Sequence, residues 1–322
     1  MSPYCDEHGG YVLNATIDRY AYATIRPLDE PILRFIASDQ QIQCECELDD
    51  PLKPDGTLDL HKAAYRQVFD TGTLPSRRAM EVVTFCDAPA GSGLGSSSTL
   101  VVAMIRAYAE LLNLALDDYA LARVAHRIER VDCGLQGGRQ DQYSAAFGGI
   151  NFMEFYANER AVVNTLRIKH SILCELEASL VLFYTGVSRE SSAIIADQAK
   201  NLSLGSTQTI DAMHGLKREA HAMKECLLKG DFNGIVRSMQ LGWESKKRTS
   251  RTVSNERLDH IYEASLAAGA SAGKVSGAGG GGFLMLLVPP EKRMRVIQAL
   301  QSFEGQASNC HFTKHGAQGW RL

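Results

Sequence analysis

Three stretches of this chain carry residue types whose spacing suits phosphate chemistry. The first is Pro89-Ala90-Gly91-Ser92-Gly93-Leu94-Gly95-Ser96-Ser97-Ser98, with glycine at three alternate positions and then three hydroxyls in a row. Alternate glycines free the backbone to turn several N–H groups toward one point. A helix that starts at the serines adds unpaired N–H groups and the positive end of its dipole, and such a place holds phosphate. A plain strand–helix turn would also use small residues, but three successive serines exceed what one N-cap needs. No Gly-Lys-Ser/Thr closes the loop, and the glycine spacing is not that of the dinucleotide fingerprint. The hydroxyl of Ser96, Ser97 or Ser98 also suits Mg²⁺, a hard cation that shares oxygen ligands with phosphates.

The second stretch pairs Glu129 with Asp141. Phosphoryl transfer needs a metal carboxylate, and often a second carboxylate to orient or deprotonate the attacking hydroxyl. Glu129 is flanked by Arg127 and Arg130 near a helix end, where a solvated charge accounts for it equally well. Asp141 lies within the glycine-bounded run Gly134 to Gly149, beside Gln140 and Gln142 and ahead of small apolar residues. A helix N-cap is the alternative for Asp141. The third stretch is Lys274 to Gly282, which ends in four successive glycines. They cost backbone entropy that a plain turn would not require. Close approach to a ligand or to the first loop accounts for them, and a flexible hinge is the alternative. His8, His126 and His221 lack metal-type spacing and read as packing or surface residues. Lys246-Lys247-Arg248 reads as a solvated face.

These residues need elements to hold them. Met80 to Cys86 has the β-branched and aromatic content of a strand, and Thr99 to Leu114 reads as a buried helix. Asp117 to Val131 is a second helix with Leu121, Val124, Ala125 and Ile128 on its buried stripe. Upstream, Tyr11 to Ile25 reads as a strand run bending near Asp18, followed by strands Ile32 to Ala37 and Gln41 to Leu48 and a helix Leu58 to Phe69. Downstream, Ile150 to Tyr156, Val162 to Ile168 and Leu180 to Tyr184 read as strands, with a change of domain near Lys169 to Glu177. Helices then run from Arg189 to Ala268, broken at Ser203 to Ser206, at Gly230 and at Thr249 to Ser254. Strand Phe283 to Val288, helix Glu291 to Phe303 and a strand near Ser308 to Thr313 close the chain.

The totals set limits. A chain of 322 residues, 45% hydrophobic and 22% charged, has the composition of a globular protein of one large or two smaller domains. A net charge of -3 with no Lys/Arg block gives no electrostatic case for nucleic acid. Eight scattered cysteines with no CxxC pair read as core thiols in a reducing cytosol. With no signal peptide and no apolar run of spanning length, the expectation is a cytoplasmic protein with no membrane partner.

Taken together, the three stretches resemble the galactokinase, homoserine kinase, mevalonate kinase and phosphomevalonate kinase (GHMP) family. Pro89 to Ser98 is similar to the family's ATP loop, Pro-x-Gly-x-Gly-Leu-Gly-Ser-Ser, and Lys274 to Gly282 to its C-terminal glycine motif. The resemblance implies an α+β fold of two lobes. One is a ribosomal-protein-S5-domain-2-like N-terminal lobe over residues 1–169, the other a ferredoxin-like C-terminal lobe over 170–322. It implies ATP as cofactor on Pro89, Gly91, Ser92, Gly93, Leu94, Gly95, Ser96, Ser97 and Ser98, Mg²⁺ on Ser97 and Glu129, and Asp141 as the catalytic group. Asn14, Asp141, Arg189, Gly277, Gly279 and Gly280 are implied to bind the substrate.

Within the family, Cys5 to Asp18, Gly138 to Tyr143 and Tyr184 to Arg189 are similar to sugar kinases. They are most like those that phosphorylate the anomeric hydroxyl of a heptose phosphate to give the 1,7-bisphosphate for nucleotide-activated heptose and surface polysaccharide. Fucokinase-type enzymes come next. A sugar or nucleotide sensor on the same fold is a third reading, opposed by the presence of both carboxylates. A homodimer is compatible with all three. The family also places a strand and a Gly-Gly-Gly-Thr-Asp-like turn before the position of Ser2-Pro3-Tyr4. By resemblance, the start lies upstream or part of the sugar pocket is lacking, and adding that strand is expected to raise stability and sugar affinity.

Overall fold

A computed structural model describes residues 4–70, 76–187 and 191–322. In chain order it begins with α1 (Tyr4–His8), β1 (Gly10–Ala15), β2 (Ala21–Pro27), β3 (Ile32–Ala37), β4 (Ile42–Glu47), α2 (Asp59–Phe69) and β5 (Met80–Cys86). Next come α3 (Ser96–Leu112), α4 (Asp118–Arg127), a π-helical turn (Ile128–Asp132) and α5 (Gln140–Phe147). Then follow β6 (Ile150–Phe155), β7 (Ala161–Thr165), α6 (His170–Ser179), β8 (Leu180–Tyr184), α7 (Ser191–Ser203), α8 (Thr207–Lys229) and α9 (Phe232–Lys247). The last elements are α10 (Glu256–Ala268), β9 (Ala272–Val275), β10 (Phe283–Leu287), a 3₁₀ turn (Pro290–Lys292), α11 (Arg293–Leu300) and β11 (Gln306–Ser308). Among the described residues, no helix is long and apolar enough to cross a membrane.

The elements form two compact units that interleave along the chain. One comprises Met1–Asp18, Ala90–Leu94 and Gly149–Lys314, the other Arg19–Pro89, Gly95–Gly148 and His315–Leu322. The second unit is built on a sheet of order β2-β5-β3-β4, in which β5 runs antiparallel to β2 and parallel to β3. Leu33, Phe35 and Ala37 alternate inward along β3 and are fully buried. Ala63, Ala64, Tyr65, Val68 and Phe69 of α2 are buried too, and Tyr65 stacks on Phe69 at 4.5 Å and meets Tyr108 of α3 edge-on. Each of the larger side chains, Leu33, Phe35, Val68 and Phe69, contributes on the order of 2 kcal/mol by leaving water.

The first unit has two antiparallel sheets, β1-β6-β7 and β11-β8-β10-β9. In β8, Val181 and Phe183 join one apolar cluster with Val296 and Leu300 of α11. Leu180 and Leu182 join another with Ile235 and Met239 of α9. Burial on both faces explains why Leu180 to Tyr184 is apolar throughout rather than alternating.

Several sequence expectations move. Tyr11 to Ile25 is two strands in different sheets, because Thr16 N–H and Asp18 N–H bond the carbonyls of Gly149 and His311 instead of continuing a ladder. α3 starts at Ser96, three residues before the expected Thr99, so the serines are its first turn. The helix expected over Asp117 to Val131 ends at Arg127 and widens into the π-helical turn. The stretch expected to mark a domain change, Lys169 to Glu177, lies largely in α6. Near the C-terminus the strand is Gln306–Ser308, and Phe312 makes only an isolated bridge to Ile17.

Candidate active site

In the second unit, Gly95 is the N-cap of α3 with φ +75°, and it brings no side-chain cap. The first-turn N–H groups of a 17-residue helix therefore stay free of a capping side chain. The serines do other work. Ser96 donates to the Pro89 carbonyl at 3.4 Å, while Ser97 and Ser98 donate to Oε1 and Oε2 of Glu129, both at 2.7 Å. The Gln142 amide donates to Glu129 Oε2 as well, and to Ser98 Oγ at 3.1 Å.

Glu129 is 1% exposed, so the solvated-charge reading does not hold. A buried carboxylate survives only if its oxygens are hydrogen-bonded and its charge is met. Three donors meet the first need, and the Arg130 guanidinium 4.0 Å away contributes to the second. The π-helical turn aims the side chain. Cys133 N–H reaches back five residues to the Ile128 carbonyl, and a single widened turn of this kind re-registers the residues it contains.

Asp141 is the second residue of α5, whose N-cap is Arg139, so the N-cap reading does not hold either. A side chain on Gly95 would place its Cβ 3.1 Å from both Cβ and Cγ of Asp141. Glycine at position 95 thus lets the carboxylate lie against the head of α3. Burial is the main cause that lifts the Asp141 pKa above its ordinary value; the Glu129 charge adds to the rise, while the Gln140 amide at 3.2 Å and Arg130 oppose it. A carboxylate in this state is disposed to take a proton.

In the first unit, Ala90–Leu94 is woven into the C-terminal glycine run. Phe283 N–H donates to the Ser92 carbonyl at 3.0 Å, and Ser276 Oγ donates to the Gly93 carbonyl at 2.9 Å. Gly277 has φ +62°, and a Cβ there would meet Gly93 Cα at 2.7 Å. Gly279 and Gly280 lie against Val253 instead, with Gly280 N–H on the Val253 carbonyl at 2.8 Å. A run pinned at so many points is not a hinge. Gly277→Ala is expected to spread this contact and raise the KM for ATP at least about tenfold, combining left-handed strain with a backbone clash. Steady-state kinetics at varied ATP would show it, and an unchanged KM would refute it.

The Lys246-Lys247-Arg248 reading needs one correction. Lys247 pairs with Glu244 at 2.8 Å, but Lys246 turns inward and donates to the carbonyls of Val275, at 3.1 Å, and Gly277. Burial, with Lys274 beside it, pushes the Lys246 ammonium down to about 7. Asn14 lies on β1 opposite Asn151 of β6, half-buried. Gly91 is left-handed at φ +70°, and Leu94 packs on the apolar cluster around Leu180 and Met239. Arg189 falls outside the described residues. Sequence reasoning did not single out Gln142, Arg130 or Lys246. The one available signal was that the Gly134 to Gly149 run keeps polar residues where apolar ones would pack better.

A glycine loop heading a long helix, a buried carboxylate on the hydroxyls of that helix, and a second carboxylate able to take a proton form an arrangement suited to phosphoryl transfer. The family descriptions "GHMP kinases N terminal domain" and "GHMP kinases C terminal" match residues 59–149 and 223–305. The D-glycero-alpha-D-manno-heptose 7-phosphate kinase of Campylobacter jejuni is 44% identical over 319 residues, 99% of this chain and 93% of that protein. A solved D-glycero-D-manno-heptose 1-phosphate kinase from Bacteroides thetaiotaomicron superposes with TM-score 0.84 at 39% identity, covering 100% of this chain and 94% of that one. Lactococcus lactis galactokinase, at 18% identity and TM-score 0.77 over 99% and 92% of the two chains, shares the fold. The chain belongs to the GHMP kinase family and has its α+β fold.

Proposed function

We propose that this protein is an ATP-dependent kinase that phosphorylates the anomeric hydroxyl of D-glycero-D-manno-heptose 7-phosphate in the cytoplasm. The observation that carries the kinase chemistry is the division of labour between two carboxylates. Glu129 is buried and triply hydrogen-bonded, whereas Asp141 is half-buried with a raised pKa. The sugar is supported by the similarity to the heptose phosphate kinases.

In this reading the N–H groups of Gly91 to Ser98 receive the ATP phosphates. Ser97 Oγ and Glu129 Oε1 are hard oxygen donors 2.7 Å apart, a set suited to Mg²⁺. When bound, that ion neutralises charge developing on the β- and γ-phosphates. Asp141 accepts the proton of the anomeric hydroxyl. The sugar oxygen then forms its bond to the γ-phosphorus as the bond to the bridging oxygen breaks, and ADP departs. Asn14, Arg189, Gly277, Gly279 and Gly280 are the proposed sugar contacts. The division into sequence modules 1–169 and 170–322 is likewise a proposal, distinct from the interleaved compact units.

An ADP-release assay over heptose 7-phosphate, unphosphorylated heptose, fucose and mevalonate tests the reading. Turnover fastest with heptose 7-phosphate and absent without Mg²⁺ is expected. ADP release with none of these acceptors would leave the sensor reading in its place.

A further inference from the structure

Away from these carboxylates, the first unit gathers five cationic or imidazole groups around one open depression. α8 contributes His214, Lys217, Arg218 and His221, at spacings i, i+3, i+4 and i+7 that form one stripe. Together with Tyr11 of β1 and Ala222 they line the depression, and the His8 ring of α1 lies 5.1 Å from that of His214. Arg218 and His221 are exposed; His214 and Lys217 are half-buried.

The stripe is held in a donating arrangement. Tyr4 Oη lies 2.7 Å from His214 Nδ1, and burial raises the phenol pKa, although Arg218 opposes it. With its proton retained, the phenol can donate to Nδ1, and the His214 tautomer that accepts this bond carries its proton on Nε2 as a donor. Lys217 lies 4.5 Å from the centre of the Tyr11 ring and donates to the His8 carbonyl, so its stem is fixed.

The carboxylates nearby are engaged elsewhere; Glu154, opposite Tyr11 in the β1–β6 ladder, accepts from the Tyr156 hydroxyl. Among the described residues, neither Lys217 nor Arg218 pairs with a carboxylate, and Glu7 reaches only His8, at 3.7 Å. Glu225, next along the same stripe, is engaged by Lys224 at 3.3 Å and Lys229 at 3.5 Å. Like charges at helical spacing repel, and the relief of that repulsion favours an anion. Among the described residues there is also no group of three or more His, Cys, Asp or Glu that could hold a metal ion, so the imidazoles do not form a metal centre.

We propose that this depression binds a phosphate group as its dianion, with Arg218 and Lys217 as charge partners and His214 and His221 as hydrogen-bond donors. Two sources share that chemistry: the non-reacting phosphate of a sugar phosphate substrate, and free phosphate. Only the first source rests on the kinase reading above.

The test titrates the full chain with inorganic phosphate, with heptose 7-phosphate and with unphosphorylated heptose, following heat. The titrations are repeated on the double variant Arg218→Met/His221→Gln and on Lys217→Met. The first two positions are exposed, so an unchanged melting temperature is expected for the double variant. Saturable phosphate binding, weakened about tenfold or more in the variants, is the expected result. If phosphate also competes with heptose 7-phosphate, and the double variant raises KM for the phosphorylated sugar alone, the site is filled by substrate. If phosphate binds without competing, the site is filled by free phosphate. Absence of phosphate binding, or equal binding by variants and wild type, overturns the proposal. ADP release by the wild type is read separately, so failure of the kinase reading is seen on its own.

Discussion

Asp141→Asn is expected to lower turnover by about three orders of magnitude while ATP still binds with about its wild-type affinity. The substitution keeps the size and shape of the side chain, so packing against Gly95, 3.1 Å from where a Cβ would lie, is preserved. What is lost is an acceptor for the sugar proton. The wild-type pH profile carries the same signature. Burial lifts the Asp141 pKa, with Glu129 adding to the rise. A base works only when deprotonated, so kcat falls as pH drops through that raised pKa, at a higher pH than an ordinary carboxylate would give. The asparagine variant should lack this acid limb. Stopped-time ADP release from pH 4 to 9, with ATP binding measured by fluorescence, checks both parts. Full activity in the variant would remove Asp141 from the chemistry.

Glu129→Gln is expected to raise the Mg²⁺ concentration for half-maximal activity at least about tenfold and to lower stability by about 1–3 kcal/mol. The two effects have one origin. Ser97, Ser98 and Gln142 all donate to the carboxylate oxygens. An amide replaces one of those oxygens with an NH₂ group, which sets donor against donor in a site that is 1% exposed. Arg130, 4.0 Å away, also loses the charge it faces. Metal affinity falls because the oxygen that remains is neutral. Metal titration by calorimetry and thermal unfolding without metal separate the two effects. An unchanged metal titration would return Glu129 to a structural role.

Local chemistry made much of this legible. Met80 to Cys86 is the strand its β-branched content implies, and helix breaks fall where the Ser203 to Ser206, Gly230 and Thr249 to Ser254 stretches place them. Glu129 and Asp141 stand out because phosphoryl transfer demands carboxylates, and Asp141 also by its glycine-bounded flanks; the partners that bury Glu129 are not visible in the sequence. Burial of Glu129 depends on a π-helical turn that helical periodicity does not encode. Gln142 resembles any first-turn polar residue until Ser98 and Glu129 come within reach of its amide. Lys246 looks like part of a charged surface run because its partners, the Val275 and Gly277 carbonyls, lie about thirty residues away. The stripe on α8 was missed for the opposite reason. Of its two histidines only His221 was weighed, and against metal spacing, which it fails, rather than beside Lys217 and Arg218.

The interleaving of the two units has a consequence for synthesis. The chain passes between them at residues 18/19, 89/90, 94/95, 148/149 and 314/315. β1 pairs with β6 some 140 residues later, and Thr16 Oγ1 donates to the Thr313 carbonyl, 3.2 Å away and 297 positions along the chain. Contacts so distant in sequence form late. On a ribosome, the Arg19–Pro89 and Gly95–Gly148 segments have most of their own partners once about the first half of the chain has emerged. β1 waits only for β6, but Ala90–Leu94 must wait for Ser276 and Phe283, and β8 for β10. Until then the nascent chain holds an unpaired strand edge and a half-anchored loop, the state in which such chains aggregate. Slow translation through the last hundred residues should therefore harm yield more than slow translation early.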